Sequence, residues 1–516
     1  MAWRCFGSGV TVITHGYNSD VNGWVTGMAD AIPAFATFPG TNFTTYRITL
    51  TTDGNGSYFY QTSRTNGVAP LASDSGEIIV KLDWSQMAGG TGTYDLSTYD
   101  VAWVASWVLL QTNAIAELGG HALAELPLHL VGHSRGGSLV AEMSRLLGTN
   151  GVWVDHLTTL DPHPLNNDGN FEPFLPTDAS ANHVYATVLF SDNYWQELSS
   201  SFIDPTGEAV SGAYDRQLTT LSGGYDNTST LAPNHSNVHL WYHGTVAWAT
   251  PSSDTEASLT GSERQSWWTG YEELGTNAGF EYTLVGGGNR LSADQPVGPG
   301  YPAIIDGYNQ FWDLGAGTSG NRAALTSNSG QWPNLIKFNL SGTNVVTAGT
   351  PLAAKLYYQY GGAFSNVTLQ VFLDPDSNPF NSNDTKVLQR ALTNSGVGSV
   401  YAVNESLDTT AVMPGTYRVY ASISDGTRSR YLYAPARVQI LSFRQAPLLD
   451  IAGSAGTSLR VGVTGLPGQT VVLQTSTNLR NWLPVATNLL TSSRWVYTNT
   501  SPASAFSLFY RAVLGP

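Results

Sequence analysis

The first half of the chain alternates short apolar segments with longer segments of helical spacing. Residues 9–14, 77–83, 127–131 and 156–160 have the apolar, β-branched character of buried strands. Residues 21–32, 96–118 and 136–147 repeat apolar side chains at helical spacing. Strands that alternate with helices of this length form βαβ units, so the pattern predicts an α/β fold with a mostly parallel sheet covered on both faces.

The last third of the chain changes class, because it contains only short alternating segments separated by turn residues. We therefore predict three domains. An α/β domain covers residues 1–330 and has an irregular, Gly- and Pro-rich extension from about residue 286. An immunoglobulin-like β-sandwich follows at residues 331–445, and a small β-module at residues 446–516 closes the chain.

Composition excludes several classes of function. The 516 residues carry a net charge of −15, and only 12% of them are charged, so the chain lacks the basic surface of a nucleic-acid binder. The single cysteine, Cys5, allows no intramolecular disulfide. The longest apolar run, residues 101–110, is much shorter than the roughly 20 residues of a transmembrane helix. We expect no transmembrane segment, and no secretory leader is visible before the first strand.

The strongest local motif is Gly-His-Ser-Arg-Gly at residues 132–136, between an apolar strand and an amphipathic helix. A serine on such a sharp strand-to-helix turn needs small residues two positions before and after it, as Gly132 and Gly136 provide. The adjoining helix N-terminus offers backbone N–H groups where an oxyanion would form. The motif predicts that Ser134 is a nucleophile.

A second apolar strand ends in His-Gly at residues 15 and 16. The end of such a strand is where a second oxyanion donor belongs in this arrangement. We predict that the backbone N–H groups of Tyr17 and Arg135 form the oxyanion hole.

A serine nucleophile needs a general base and a carboxylate that orients the base. Asp161 follows the strand at residues 156–160 and therefore lies at the same sheet edge as Ser134, which makes it the favoured acid. Asp155 and Asp168 are weaker alternatives.

For the base, His235 is favoured because it follows the breaker sequence Ala-Pro-Asn at what reads as a helix start. His239 is the alternative base. The spacing of His235, His239 and His243 on one helical face also suggests a three-histidine metal site, but no H-E-x-x-H glutamate accompanies it.

Several of these segments resemble the pancreatic and lipoprotein lipase family. They are Lys-Leu-Asp-Trp at residues 81–84, Leu-His-Leu-Val-Gly-His-Ser at residues 128–134 and Thr-Leu-Asp-Pro at residues 159–162. The resemblance, over roughly residues 8–250, implies an α/β-hydrolase fold and hydrolysis of carboxyl esters. It also implies Ser134 as nucleophile, Asp161 as acid, His235 as base, and oxyanion donors at Tyr17 and Arg135.

The last 70 or so residues resemble a β-module found at the ends of many exported bacterial proteins, notably at residues 472–479 and 509–511. This resemblance implies a secreted or extracellular location.

Together these features predict a serine esterase or lipase-like enzyme that acts on a small-molecule or lipid ester. A peptidase or amidase uses the same triad, and a non-catalytic binding or adhesion protein on a hydrolase scaffold is a further alternative. We expect no required cofactor. One loop, with Asp374, Asp376 and Asn378, is a candidate structural calcium site, although an ordinary Asx-rich turn has the same composition.

Overall fold

The computed structural model describes residues 9–35, 42–71, 75–169, 171–198, 204–246, 257–268, 280, 322–325, 332–362, 364–393, 400–434, 436–442, 446–455, 458–500 and 508–515. The chain divides into two compact units. The larger unit comprises Met1–Ser341, Ala354–Glu405 and Arg418–Arg437, and the smaller comprises Gly342–Ala353, Ser406–Tyr417 and Val438–Pro516. Domain boundaries near residues 330 and 445 stay a prediction.

The larger unit contains an eight-stranded, mostly parallel sheet, as the alternating pattern predicts. Its order is β3-β2-β4-β1-β5-β6-β8-β9, and within this sheet the β2–β3 pair alone is antiparallel. The strands are β1 (Val10–Thr14), β2 (Asn42–Thr52), β3 (Tyr58–Gly67), β4 (Ser75–Asp83), β5 (Leu128–His133), β6 (Val154–Leu160), β8 (Val188–Trp195) and β9 (Tyr214–Gln217). A short strand, β7 (Val184–Tyr185), pairs instead with β10 (Arg322–Ala323).

Helices cover both faces of this sheet. They are α1 (Trp24–Phe35), α2 (Thr98–Leu110), α3 (Arg135–Thr149), α4 (Pro233–Val246) and α5 (Gly261–Trp268). Neighbouring residues of a strand point to opposite faces, so Leu130 packs in the cluster that includes α2 and α3, whereas Val131 packs in the cluster that includes α1 and α4. Both faces are therefore buried, as a parallel sheet requires.

The remaining described strands form several mostly antiparallel sheets. In the larger unit β14 (Thr368–Asp374) pairs with β15 (Thr385–Ala391) and with the later part of β17 (Gly415–Ser424), which also pairs with β18 (Ser429–Tyr433). The larger unit also contains β11 (Asn334–Ser341) and most of β13 (Leu352–Gln359) and β16 (Val400–Leu407). Strands β12 (Val345–Thr347) and β19 (Val438–Leu441) belong to the smaller unit.

Within the smaller unit, two three-stranded antiparallel sheets have the orders β20-β21-β24 and β23-β22-β25. Their strands are β20 (Leu448–Ala455), β21 (Ser458–Thr464), β22 (Thr470–Ser476), β23 (Leu483–Leu489), β24 (Arg494–Asn499) and β25 (Phe509–Leu514). The predicted change from α/β to all-β structure is thus confirmed.

A buried ion pair joins strand β18 to the α/β sheet inside the larger unit. The guanidinium of Arg430 donates to Asp155 Oδ2 at 2.9 Å. It also donates to the carbonyl oxygens of Ala124 (2.8 Å), Leu126 (3.0 Å) and Trp153 (2.9 Å). Burial raises the pKa of Asp155, and the nearby guanidinium opposes that rise. Asp155 lies near the start of β6, at the opposite end from Asp161, so its geometry does not fit the role of orienting acid.

Arg430→Ala should destabilise the protein by about 3–5 kcal/mol, because Asp155 would stay buried without a counterion. Arg390→Ala is a matched control, since the side chain of Arg390 is half exposed at its pair with Glu405 and its loss should cost less than about 1 kcal/mol. Urea unfolding of both variants measures the difference.

Equal losses of stability in the two variants would contradict the special role of Arg430.

A chain that ends at residue 330 would also keep Asp155 buried without the guanidinium of Arg430. We therefore expect it to be markedly less stable than the full chain.

Candidate active site

Ser134 occupies a strained turn between β5 and α3. Its φ of 59° lies in the left-handed region that non-glycine residues rarely adopt. A Cβ on Gly132 would come within 2.0 Å of the Gly136 carbonyl oxygen, and a Cβ on Gly136 within 2.5 Å of the His15 carbonyl oxygen. Both glycines of the motif are therefore required by close backbone packing. Ser134 itself is 7% exposed, and its N–H donates to the Leu160 carbonyl oxygen at 3.0 Å.

Asp161 follows β6 at the same sheet edge, as the sequence predicts. Its side chain is fully buried, and its carboxylate accepts hydrogen bonds from neighbouring segments. Oδ1 accepts from the N–H of Gln196 at 2.8 Å and from that of Gly207 at 3.1 Å. Oδ2 accepts from the Gln196 side-chain amide at 3.0 Å. All three groups donate to Asp161, which fits an ionised carboxylate, because such a group can only accept hydrogen bonds.

His235 joins Asp161 directly, with Nδ1 only 2.6 Å from Asp161 Oδ2. Because the carboxylate accepts, Nδ1 carries the proton and Nε2 of the neutral ring keeps its lone pair. His235 lies in the first turn of α4, where its N–H donates to Asp204 Oδ1 at 3.1 Å. The Asn234 side-chain amide donates to the same carboxylate at 2.8 Å. Asp204 thus fixes the helix start that carries His235.

His239, the alternative base, has different neighbours. Its ring stacks on Trp24 at a centroid distance of 4.6 Å and packs edge-on against His133 and Tyr225. Within the described residues, His235, His239 and His243 do not bring one ligand atom each within 4.8 Å, so the geometry does not support the three-histidine metal site.

The segment that precedes Tyr17 is held against Ser134. His15 stacks on Trp84 with ring centroids 5.4 Å apart, and its carbonyl oxygen accepts from the Trp84 indole at 3.1 Å. His15 Nε2 accepts from the Trp84 N–H at 3.2 Å, so the ring proton is on Nδ1, which donates to the Gly16 carbonyl oxygen at 3.0 Å. The Asp-Trp motif at the end of β4 therefore fixes the segment that holds the candidate oxyanion donor.

The side chain of Arg135 has a role that the motif does not reveal. It is fully buried, and all five of its N–H donors are used. Two of them pair with Asp178 at 2.7 and 2.8 Å, one with Asp95 at 2.9 Å, and the others with the carbonyl oxygens of Ala88 (3.1 Å) and Leu96 (2.7 Å). Asp178 and Asp95 raise the pKa of Arg135 against the opposing effect of burial.

His133 ties the nucleophile turn to the helix of the base. Its Nε2 lies 2.9 Å from the carbonyl oxygen of His235, an acceptor, so Nε2 carries the proton. Burial, with the neighbouring His235 and His239, lowers the pKa of His133 well below its usual value. His133 therefore stays neutral in the folded protein.

Sequence reasoning missed Gln196, Asp204 and Gly207, which hold Asp161 and His235 in place. All three lie between residues 166 and 231, a segment in which no motif signals a function. Asp168, the other alternative acid, instead lies beside His163, with 3.0 Å between Asp168 Oδ2 and His163 Nδ1.

The candidate calcium loop is an Asx-rich turn stabilised by internal hydrogen bonds. Asp374 Oδ1 accepts from the N–H of Asp376 at 2.9 Å, and Asp374 Oδ2 accepts from the Tyr433 hydroxyl at 2.5 Å. Asp376 Oδ1 accepts from the N–H of Asn378 at 2.7 Å. Asp376 Oδ2 accepts from the side-chain amides of Asn381 (2.8 Å) and Asn383 (2.6 Å). The calcium site stays a prediction.

No protein-family model matches the sequence, and a search of curated proteins returns no significant match. Among solved structures, a Lactobacillus plantarum WCFS1 protein provisionally assigned as a cell surface hydrolase matches 51% of this chain and 98% of its own, at 11% identity and a TM-score of 0.28. The CARDB domain of the Pyrococcus furiosus PF1109 protein, in complex with di-metal ions, matches 22% of this chain and 97% of its own, at 12% identity and a TM-score of 0.15. At TM-scores this low, neither match indicates a function for this chain.

Within the part of the chain that the structure describes, no helix has the length and apolar character needed to span a membrane.

Gly16→Ala should destabilise the protein by about 1–3 kcal/mol, because the new Cβ overpacks the turn. It would lie 2.6 Å from Ser134 Cβ and 3.0 Å from Ser134 Oγ. Gly261→Ala at the start of α5 is the control, since nothing lies within 4 Å of that Cβ. Chemical denaturation measures the free energy of unfolding of both variants. A Gly16→Ala protein as stable as the wild type would contradict the close packing at Ser134.

His133 should make folding sensitive to acid. The unfolded chain takes up a proton on this histidine as the pH falls through about 6.5, whereas the folded protein does not. Stability is therefore lost on the acidic side, by up to about 2 kcal/mol between pH 7 and pH 5. His133→Gln keeps a donor but does not titrate, so its free energy of unfolding should fall less over this range. Identical pH profiles for the two proteins would show that His133 is protonated in the fold.

Proposed function

We propose that this protein is a serine hydrolase that cleaves carboxyl esters through an acyl-enzyme intermediate. The observation that carries the proposal is the buried 2.6 Å hydrogen bond between His235 Nδ1 and Asp161 Oδ2, at the sheet edge where Ser134 occupies a strained turn. An aspartate that fixes one imidazole tautomer leaves Nε2 available to accept a proton from a serine hydroxyl. Nucleophile, acid and base follow one another in the chain order of α/β-hydrolases.

Each residue has a distinct part in the proposed reaction. His235 Nε2 takes the proton of Ser134 Oγ as that oxygen attacks the ester carbonyl carbon. The backbone N–H groups of Tyr17 and Arg135 stabilise the oxyanion of the tetrahedral intermediate. His235 then returns the proton to the leaving alcohol, and the acyl group stays on Ser134. A water molecule, deprotonated by the same histidine, releases the acid and restores the serine.

Two features favour an ester with an apolar acyl part. The motifs around residues 81–84, 128–134 and 159–162 resemble those of the pancreatic and lipoprotein lipase family, which acts on esters. In addition, Phe171 and Phe174, in the loop that follows Asp161, are 83% and 104% exposed. Large exposed apolar side chains suit contact with an apolar molecule.

The proposal includes an α/β-hydrolase fold for the parallel sheet and its helices, and an immunoglobulin-like sandwich for the β strands of residues 331–445. We further propose an extracellular location. Its support is the resemblance of the last 70 or so residues to β-modules of exported bacterial proteins.

Ser134→Ala and His235→Ala should each reduce hydrolysis of p-nitrophenyl butyrate by several orders of magnitude, because members of a triad act as one unit. His239→Ala is the matched control, since that ring packs on Trp24 rather than on Asp161. It should keep most of the activity per folded molecule. Steady-state kinetics, with circular dichroism as a check of folding, measure all three variants.

The outcomes separate the alternatives. An active Ser134→Ala protein would overturn the serine mechanism, and a His239→Ala protein as inactive as Ser134→Ala would overturn the choice of base. Faster hydrolysis of the matching p-nitroanilide than of the ester would indicate an amidase or peptidase. A folded wild-type protein that hydrolyses neither substrate would favour a binding protein.

A further inference from the structure

A second cluster of titratable side chains lies in the loop that follows Asp161. His163, Asp168 and Glu172 bring one potential ligand atom each within 4.8 Å of the others. His163 Nδ1 is 3.0 Å from Asp168 Oδ2, and His163 Nε2 is 4.0 Å from Glu172 Oε1. Among the described residues, no other group of three or more His, Cys, Asp or Glu ligands meets this criterion.

The contact between His163 and Asp168 does not have the geometry of a well-formed hydrogen bond. His163 Nδ1 is buried and close to Asp168 Oδ2, yet it has no hydrogen bond of acceptable geometry within the described residues. Two atoms that bind the same metal ion direct their lone pairs at the ion rather than at each other. At bond lengths of about 2.1 Å and a right angle, two such atoms lie about 3 Å apart. The 3.0 Å between His163 Nδ1 and Asp168 Oδ2 fits two atoms that bind one ion.

A third carboxylate lies near this cluster. Glu208 Oε1 is buried and has no hydrogen-bond partner within the described residues. Glu208 also interacts electrostatically with Asp168 and His163. Carboxyl groups that crowd around one imidazole repel one another when ionised, and a bound cation would offset that repulsion.

The loop holds Glu172 in this position through Asn166. The N–H of Asn166 donates to Glu172 Oε2 at 2.7 Å, which leaves Oε1 to face His163. The N–H of Glu172 donates to Asn166 Oδ1 at 2.7 Å, and the Asn166 side-chain amide donates to the Glu172 carbonyl oxygen at 3.0 Å. Asn166 has a φ of 53°, in the left-handed region that asparagine tolerates. Hydrogen bonds behind metal ligands orient them in this way.

We propose that His163, Asp168 and Glu172 bind a divalent transition-metal ion of the Zn²⁺ type. Imidazole is a ligand that zinc accepts readily, whereas calcium prefers a shell made entirely of oxygen atoms. One imidazole nitrogen and two carboxylate oxygens are a set of ligands that such an ion accepts.

The ion would lie beside the segments that hold the acid. His163 lies two residues after Asp161, and its N–H donates to the Ser134 carbonyl oxygen at 3.3 Å. Glu208 follows Gly207, whose N–H donates to Asp161 Oδ1 at 3.1 Å. Metal binding should therefore stabilise the surroundings of Asp161 without taking part in the reaction.

The test uses the full chain, stripped with EDTA and dialysed into metal-free buffer. Isothermal titration with ZnCl₂, MnCl₂ and CaCl₂ in separate experiments should show one Zn²⁺ per chain, bound more tightly than Ca²⁺, and Zn²⁺ should raise the Tm. Asp168→Asn and Glu172→Gln, which preserve shape, should each weaken Zn²⁺ binding at least tenfold and abolish the Tm shift. Asp53→Asn, an exposed turn carboxylate, is the control and should bind like the wild type.

The absence of saturable Zn²⁺ binding would overturn the proposal, and so would tighter binding of Ca²⁺ or unchanged affinity in both ligand variants. If those variants fail to fold, His163→Gln provides the same comparison. Ser134→Ala should bind Zn²⁺ normally. A metal site without esterase activity, or esterase activity without a metal site, would therefore identify which proposal has failed.

Discussion

The buried guanidinium of Arg135 is the interaction on which the surroundings of Ser134 depend. It follows the serine directly, and it pairs in two places with Asp178 and once with Asp95. It also donates to the carbonyl oxygens of Ala88 and Leu96, so that one side chain connects the start of α3 with the segments after β4 and β6. Removing one partner of such a buried pair typically costs about 3–5 kcal/mol. The buried charge of Arg135 therefore holds together loop segments that are separate in the sequence.

Parallel strands supply the second constraint. Because β1, β5, β6 and β8 run in the same direction, Gly16, Ser134, Asp161 and Gln196 all lie at one sheet edge. At that edge two residues, Ser134 and Asp161, adopt positive φ values of 59° and 44°. The strain persists because the neighbouring strands, helices and hydrogen bonds determine both positions. Packing in the two apolar layers on either side of the sheet stabilises this edge in spite of the strain.

The sequence predicted those features that depend on local pattern. The α/β alternation, the glycine-flanked turn at Ser134 and the strand-end position of Asp161 each follow from a few consecutive residues. The pairing of His235 with Asp161 was anticipated because the breaker before residue 235 marks the start of α4. By contrast, Arg430 meets Asp155 across a separation of 275 residues, and no periodicity or motif reports such a contact.

The residues that support the site were also not predicted, because they make long-range contacts. Gln196 and Asp204 lie in a segment without a motif, and their partners are 35 and 31 residues away along the chain. The turn motif predicts a role for the backbone N–H of Arg135 but none for its side chain. Long-range polar contacts are chosen by the folded geometry, so only the structure reveals them.

The most direct test of the account is the position of a covalent adduct. The full-length protein would be incubated with a fluorophosphonate, which reacts with activated serines, and then analysed by intact mass and peptide mapping. The account predicts a single adduct, located on Ser134, and none in the Ser134→Ala protein. An unmodified Ser134 in a folded protein that hydrolyses esters, or an adduct on another residue, would contradict it.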